Sequence, residues 1–376
     1  MSDPARSARN ADELVVSLVT RGSPAQVSGG HLYHRRMAEA APARRAAVEF
    51  ISVAGVGNPL RAARGVVVVD SITAWSVAPW LVLRRRRHAP IAAMLHQPPG
   101  GVGQGRVRTA LQRPLDRAFY RRCDLLIVAS TSLRHDLVRQ HGLPAERICV
   151  VEPGSDLPAG RSPSQDLRRG RRIAILCVGN WLPNKGVLEL LDAVAQLPPD
   201  HATLHLAGRD DVDADYAARV RARAGAPDLA ERVVIHGAVT RGEVADLYAA
   251  ADVFALASYA EAYGTVYGEA LAAGLPAVGW RAGNLPNLVE DGREGCVLPP
   301  GDVAGLAAAL RRLATDDEWR TVLTDGARRR GQQLPTWSDA ADAFFAALRR
   351  LANGTVDNIS DSVSDSESES DGDVRP

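Results

Sequence analysis

Two glutamates have the type and spacing to handle a ligand that is charged in one part and rich in hydroxyls in another. Glu261 and Glu269 stand eight residues apart in SYAEAYGTVYGEALAAGLPAVGW (258–280), with Gly264 between them. The stretch reads as a strand end that turns at Gly264 into a helix, which stops at Gly274 before Pro276. One carboxylate then lies on the loop and the other in the first turns of the helix. A helix N-terminus offers unpaired N–H groups and the positive end of its dipole, which suits a phosphate. A glycine there lets the backbone approach the ligand closely. Carboxylates repel phosphate but accept from hydroxyls, so the pair fits a sugar on one side of a phosphate and a ribose on the other. A second feature is Lys185 in NWLPNKGVLEL (180–190), the only lysine in a chain with 45 Lys plus Arg. Arginine serves at every other cationic position, so a compact point charge is either needed at 185 or stands there by chance.

Weaker candidates lie in the first half. SGGHLYHRR places Gly29 and Gly30 in a turn that opens a helix after the first strand. His96 ends the strand in PIAAMLHQ, and Asp70 and Ser71 end the one in GVVVVDS. All three face the rim where such strands end. The acids of GRDDVDAD (Asp210, Asp211, Asp213, Asp215) read as a polar loop and helix start rather than a cation site. No metal-ligand cluster appears in the sequence. The four cysteines, Cys123, Cys149, Cys177 and Cys296, are scattered without CxxC spacing, which argues against a zinc site or a disulfide framework and suits a reducing cytoplasm.

These residues need a scaffold that brings loops together. ELVVSLVT, AAVEFISVAG, GVVVVDS, PIAAMLHQ and CDLLIVAS are short continuous apolar runs, as strands covered on both faces should be. Helical patterns alternate with them, giving a doubly wound parallel sheet. After a Pro-, Gly-, Ser- and Arg-rich stretch the alternation restarts with IAILCVGN, ATLHLAGR, RVVIHGAV, DVFALAS, PAVGW and GCVLP. The expected organisation is a disordered N-terminus (1–11), a first Rossmann-like domain (12–155) and a linker (156–170). A second Rossmann-like domain (171–331), a C-terminal helix (332–352) with Ser338 as its N-cap, and a disordered acidic tail (353–376) follow. In open α/β sheets the ligand sits beyond the carboxyl ends of the strands, so the site belongs in the cleft between the two domains.

The net charge of +1 hides an asymmetry: the tail from Asn353 carries seven acids and one arginine, −6, which leaves +7 on the rest. Much of that lies in Arg84 to Arg87, Arg106, Arg108, Arg113, Arg117, Arg121 and Arg122, a solvated arginine face or a patch for anionic lipid. The start MSDPARSARNADE lacks the apolar core of a secretion signal. Residues 65–87 are the one membrane suspect, but Asp70 and Pro79 interrupt them, so they read as a buried strand and an amphipathic helix.

EAYGTVYGEALAAGLPAV resembles the E-x7-E signature of family 4 (group 1) glycosyltransferases, retaining enzymes of the GT-B fold that use nucleotide-sugar donors. Three further blocks in the right order share the resemblance: CDLLIVASTSLRHDL with ERICVVEPGSD, ILCVGNWLPNKGVLELLDAV, and LAERVVIHGAVTRGEVADLYAAADVFALAS. The resemblance covers roughly residues 12 to 350, and it implies that 12–155 is the acceptor domain, with Asp70 and Ser71 as acceptor contacts, and 171–331 the nucleotide-sugar domain. It implies that Glu269 holds the donor ribose and that Glu261 contacts the transferred sugar. The backbone at Tyr263, Gly264 and Thr265 would face sugar and diphosphate, and Lys185 would bind the diphosphate. Gly29 and Gly30 would lie near donor phosphates and acceptor, and His96 near the sugar. The family usually has an arginine where Asn180 stands. Either Arg209 or Arg281 compensates, or the site is weaker, or the donor is unusual. Gly283-Asn284 and Asn287 likewise replace a Gly-Gly pair and an acid, and Tyr263 a phenylalanine.

The expected activity is retaining transfer of a hexose from a nucleoside-diphosphate sugar to the hydroxyl of a glycan or lipid-linked acceptor. No metal or other cofactor and no nucleic acid is expected. The place is the cytoplasm, with peripheral contact to the inner face of an anionic membrane. A nucleotide-sugar epimerase or phosphorylase on the same fold, or a binding homologue without turnover, remains the alternative. A nicotinamide enzyme is disfavoured, because no G-x-G-x-x-G follows a first strand.

Overall fold

The computed structural model describes residues 13–22, 29–53, 58–82, 89–101, 106–156, 166–261 and 263–354. The expected disordered N-terminus, the Arg84 to Arg87 run, most of the linker and the acidic tail beyond residue 354 lie outside them.

Two six-stranded parallel sheets follow one another along the chain. The first holds β1 (Leu14–Thr20), β2 (Ala46–Ser52), β3 (Val66–Asp70), β4 (Ile91–Leu95), β5 (Leu125–Val128) and β6 (Ile148–Val150). Its helices are α1 (Gly29–Ala40), α2 (Ala74–Val82), α3 (Arg106–Tyr120) and α4 (Thr131–His141). The second sheet holds β7 (Ile173–Val178), β8 (Ala202–Ala207), β9 (Val233–Gly237), β10 (Val253–Leu256), β11 (Ala277–Trp280) and β12 (Gly295–Leu298). With it go α5 (Val187–Ala195), α6 (Ala214–Ala224), α7 (Arg241–Ala250), α8 (Thr265–Ala272), α9 (Leu285–Leu288), α10 (Val303–Thr315) and α11 (Asp317–Gln333). The last helix, α12 (Trp337–Ala352), returns to the first sheet.

The most apolar runs form central strands, and both faces of these are covered. In the first sheet Val66, Val68, Ala92, Met94, Leu125 and Ile127 enter one core. The residues between them, Val67, Val69, Ala93, Leu126 and Val128, enter the other. This is the period of two of a strand packed on both sides.

The strand orders locate the site. In the first sheet, order β2-β1-β3-β4-β5-β6, the chain winds outward from β1 and then reverses across β3. In the second, order β12-β11-β10-β7-β8-β9, it reverses between β7 and β10. A crevice opens at such a switch, beyond the carboxyl ends. The residues leaving β1, β3 and β4 are the Gly29–Gly30 turn, Asp70 and His96. Those leaving β7 and β10 are the Asn180 to Lys185 loop and the approach to Glu261.

Two sequence expectations change. Ser338 does not cap α12; Thr336 does, accepting from the Asp339 N–H in a capping box, while Ser338 Oγ accepts from Arg44. A capping box needs an acid three residues after the cap, and Asp339 stands at that spacing from Thr336. The end of the expected linker is packed rather than free: Leu167 is buried in the second core, and Arg168 Nε donates to Asp252 at 2.9 Å.

Candidate functional site

A cavity of about 530 Å³ lies between the sheets, and most of the candidate residues line it: Gly30 and His96 from the first, Asn180, Lys185, Glu261, Tyr263, Gly264, Thr265 and Glu269 from the second. Gly29, the first residue of α1, and Asp70 are not among the lining residues.

Lys185 ends a short turn, Pro183–Lys185, and Gly186 follows at φ +65°. A Cβ on Gly186 would lie 1.9 Å from the Ala257 carbonyl oxygen, so only glycine fits beside β10 there. That contact brings the β7 and β10 loops together, and the Lys185 ammonium forms an ion pair with the Glu261 carboxylate. The two side chains are 21% and 13% exposed, so the pair is largely shielded from water. Each neutralises the other.

Gly264 is the N-cap of α8 at φ +83°, where a Cβ would press to 2.8 Å on the Tyr267 ring. This left-handed cap turns the chain so that the α8 N-terminus faces the cavity. Glu269, in the second turn, is 5% exposed, and its Oε1 accepts from Arg241 Nη1 at 2.9 Å. Burial pushes its carboxyl up, and the Arg241 charge and hydrogen bond oppose that shift. Tyr263 is buried, its hydroxyl pushed up to about 12 by burial, with Ser155 Oγ 3.5 Å away.

The departures from the family pattern have structural jobs. Asn180 Oδ1 accepts from the Arg209 backbone N–H at 3.2 Å, which fixes the loop after β8. Arg209 lines the cavity and pairs with Asp211 at 2.9 Å. Arg281 does not line it; its guanidinium donates to the Val297 carbonyl at 3.2 Å. Arg209 is therefore the one of the two stationed at the site. Asn284 Nδ2 donates to the Tyr263 carbonyl at 3.1 Å, and Asn287 Nδ2 reaches across to Ser132 Oγ at 2.6 Å.

In the opposite wall His96 is half-buried as a residue, but its Nε2 is enclosed and has no partner. A Cβ on Gly30 would come within 3.1 Å of its ring, so glycine lets α1 begin against it. Burial first, then the neighbouring His34, push His96 down to about 4, while Asp70 opposes and His31 adds to the fall. His96 is therefore neutral at ordinary pH, with its enclosed Nε2 left without a partner. The unfolded chain takes up this proton near 6.5, so the stabilising contribution is complete above that pH and is lost as pH falls toward about 4. His96→Gln is expected to flatten the stability profile between pH 7 and pH 4.5, read by thermal melts, while wild-type kcat/KM shows no His96 titration from pH 6 to 8.

Asp70 is not an acceptor contact. It is 1% exposed, and its Oδ2 accepts from His34 Nε2 at 2.8 Å and Thr20 Oγ1 at 3.0 Å. Its Oδ1 accepts from the Ile72 N–H at 3.1 Å and Ser71 Oγ at 3.3 Å. Burial works to raise its carboxyl, but the His34 hydrogen bond and charge hold it well below the usual range. His34, Asp70 and His96 bring ligand atoms within 4.8 Å of one another, a metal-like set. All four Asp70 bonds are spent on protein donors, however, which leaves the carboxylate nothing to give an ion. Asp70 orients His34, and the His34 ring meets His96 edge-on, centroids 4.9 Å apart.

Three polar or charged side chains of the cavity escaped the sequence reading: Arg241, Arg35 and Tyr33. Arg35 and Arg241 are two of 44 arginines, with no local mark. His34, which sits behind the cavity, carried a weak signal, three residues after His31 in the helix opened by the glycine turn.

Fold and site define an α/β protein with two facing doubly wound sheets and, between their carboxyl ends, a cleft whose largely apolar wall carries a few charged side chains. Residues 15–158 match the family described as Glycosyltransferase Family 4, and residues 172–316 the one described as Glycosyl transferases group 1. Glycogen synthase of Mycobacterium tuberculosis (strain H37Rv) is 31% identical over 294 residues, 69% of this chain and 69% of that protein. D-inositol 3-phosphate glycosyltransferase of Xylanimonas cellulosilytica is 32% identical over 234 residues, 59% of this chain and 56% of that protein. The matched part thus spans little more than half the length of that relative. The solved sucrose-phosphate synthase from Thermosynechococcus elongatus aligns with a TM-score of 0.75 at 22% identity, over 91% of this chain and 100% of that one. Anabaena HepE in complex with UDP-glucose aligns with a TM-score of 0.75 at 20% identity, over 90% and 100%. The chain belongs to the family 4, group 1 glycosyltransferases and has their GT-B fold.

Proposed function

We propose that this chain is a retaining glycosyltransferase that moves a hexose from a nucleoside-diphosphate sugar to an acceptor hydroxyl. The observation that carries the reading is the convergence of Lys185, Glu261, Glu269 and the α8 N-terminus on one cavity. Glu269 takes the ribose hydroxyls, and Glu261 leaves Lys185 to take hydroxyls of the sugar. Lys185 then faces the diphosphate with the α8 N-terminus, and Arg209 stands where a second cation is wanted. As the C1–O bond to the diphosphate breaks, negative charge grows on the leaving oxygen, and these fixed positive groups stabilise it. The acceptor oxygen bonds to C1 from the same face, and its proton passes to that phosphate oxygen. Neutral His96 steadies a sugar hydroxyl from the other wall, with Gly29 and Gly30 beside it and Asp70 acting through His34. The reading includes no metal, because Lys185, Arg209 and the helix end meet the charge of the leaving group. Incubation with UDP- and GDP-hexoses tests it: nucleoside diphosphate is released with transfer at retained anomeric configuration. Binding without release would instead support a homologue without turnover.

The acceptor in this reading is a glycan or a lipid-linked sugar, met in the cytoplasm at the inner face of an anionic membrane. Among the described residues no helix is long and apolar enough to cross a membrane. What supports surface contact is that α3 presents Leu111 at 69% and Leu115 at 49% exposure on a helix that also carries the exposed Arg108 and Arg113, and that Trp75 on α2 is 40% exposed. The full chain is expected to pellet with phosphatidylglycerol vesicles at low salt and to be released by Leu111→Asp with Leu115→Asp or by 0.5 M salt, at which screening shortens to about 4 Å. Pelleting unaffected by either change would contradict this.

A further inference from the structure

We infer that Arg241 is a positioning residue of the donor site: it keeps Glu269 ionised inside the protein, so that both carboxylate oxygens can accept from a vicinal diol. The inference rests on the proposal that Glu269 receives the donor ribose. Glu269 is 5% exposed, and a carboxylate enclosed to that degree is costly unless paired. The groups that face it are Arg241 and the Tyr248 hydroxyl from α7, and Asp156 from the segment that follows the first sheet. The Tyr248 hydroxyl is neutral and is shared between the Val266 carbonyl, 3.0 Å away, and Glu269, and Asp156 is an acid, so Arg241 is the cation among the three.

The guanidinium is itself held in place. While Nη1 donates to Glu269, Nη2 donates to the Asp156 carbonyl at 2.9 Å. The Asp156 carboxylate accepts from the Trp337 backbone N–H at 2.7 Å, which fastens this backbone to the start of α12. The fork thus binds the donor carboxylate to the point where the chain passes between the sheets. Arg241 also lines the cavity, on the same side as Glu269. A protonated Glu269 would have one good acceptor oxygen and would spend its other oxygen as a donor, which a ribose diol does not match. Removing Arg241 leaves the Tyr248 hydroxyl as the one group opposing burial, so the carboxyl takes up its proton at higher pH.

The test is the pH dependence of UDP and GDP affinity, measured by calorimetry on the full chain from pH 8 to pH 6. Wild type should change little, whereas Arg241→Met should weaken by about tenfold more at pH 6 than at pH 8, the cost of one charge-assisted hydrogen bond. Arg241→Lys should restore the flat profile. Arg241→Gln, which keeps a hydrogen-bonding head without charge, should show the same slope as Arg241→Met and serves if that variant fails to fold. A loss of affinity equal at all pH values would mean that Arg241 only braces the segment at Asp156, and would overturn the inference while leaving the donor reading intact. A wild-type chain that binds neither UDP nor GDP would overturn both.

Discussion

Lys185→Arg is expected to lower turnover by about 10²–10³-fold, the scale of losing one transition-state donor, with thermal stability changed by less than about 1 kcal/mol. The substitution keeps the charge and changes only its shape. The lysine Cδ lies 3.9 Å from where a Cβ on Gly179 would stand, so the stem runs closely over the end of β7. At its tip the ammonium meets Glu261. A planar guanidinium on a longer stem has to place its fork where Glu261 now sits or turn out of the cavity, and either choice moves the charge away from a diphosphate. The effect should fall on kcat, because a misplaced cation still attracts the ground-state phosphate but no longer meets the charge that grows during bond breaking. Steady-state kinetics beside a thermal melt separate the two quantities. Equal loss in both would make Lys185 a structural residue whose ion pair holds two loops together.

Phe344→Ala is expected to cost about 3–5 kcal/mol, the range for deleting a buried aromatic. Phe344 is 1% exposed on α12 and lies edge-on to Tyr33, centroids 6.1 Å apart, and to Phe345 at 5.2 Å. Tyr33 in turn packs on His96, with centroids 5.4 Å apart. The last helix thus supports the wall of the cleft formed by the first sheet, although it follows the second sheet in the chain. Denaturant melts should show the loss in the midpoint. A change below about 1 kcal/mol would mean that α12 only rests on this surface, as ordinary surface positions do.

Eleven of the twelve strands were legible in the sequence as continuous apolar runs, and each such run became a strand; β6, only Ile148–Val150, was too short to stand out. The GT-B architecture followed from their alternation with helices and from the resemblance. Lys185, Glu261 and Glu269 were legible as individuals, since a lone lysine and an E-x7-E spacing are local marks. Their mutual geometry was not. Lys185 and Glu261 meet across 76 residues, and Arg241 and Glu269 across 28, and no local pattern records such contacts. Asp70 was misjudged for the same reason. Its place at a strand end is visible in sequence, but the four donors that use up its carboxylate come from β1, α1 and the turn after β3. Asn180 looked like a missing charge, and the structure shows it fixing the loop that carries Arg209. The return of α12 to the first sheet was also hidden, because an amphipathic helix does not name the face it will cover.

The central claim is most directly tested by following nucleoside diphosphate release from a panel of UDP- and GDP-hexoses, wild type against Lys185→Arg, with the anomeric configuration of the transferred sugar read by NMR. The account expects release and retained configuration with at least one donor, and loss of that release in the variant. No release from any donor, inverted configuration, or a variant that turns over as fast as wild type would contradict it.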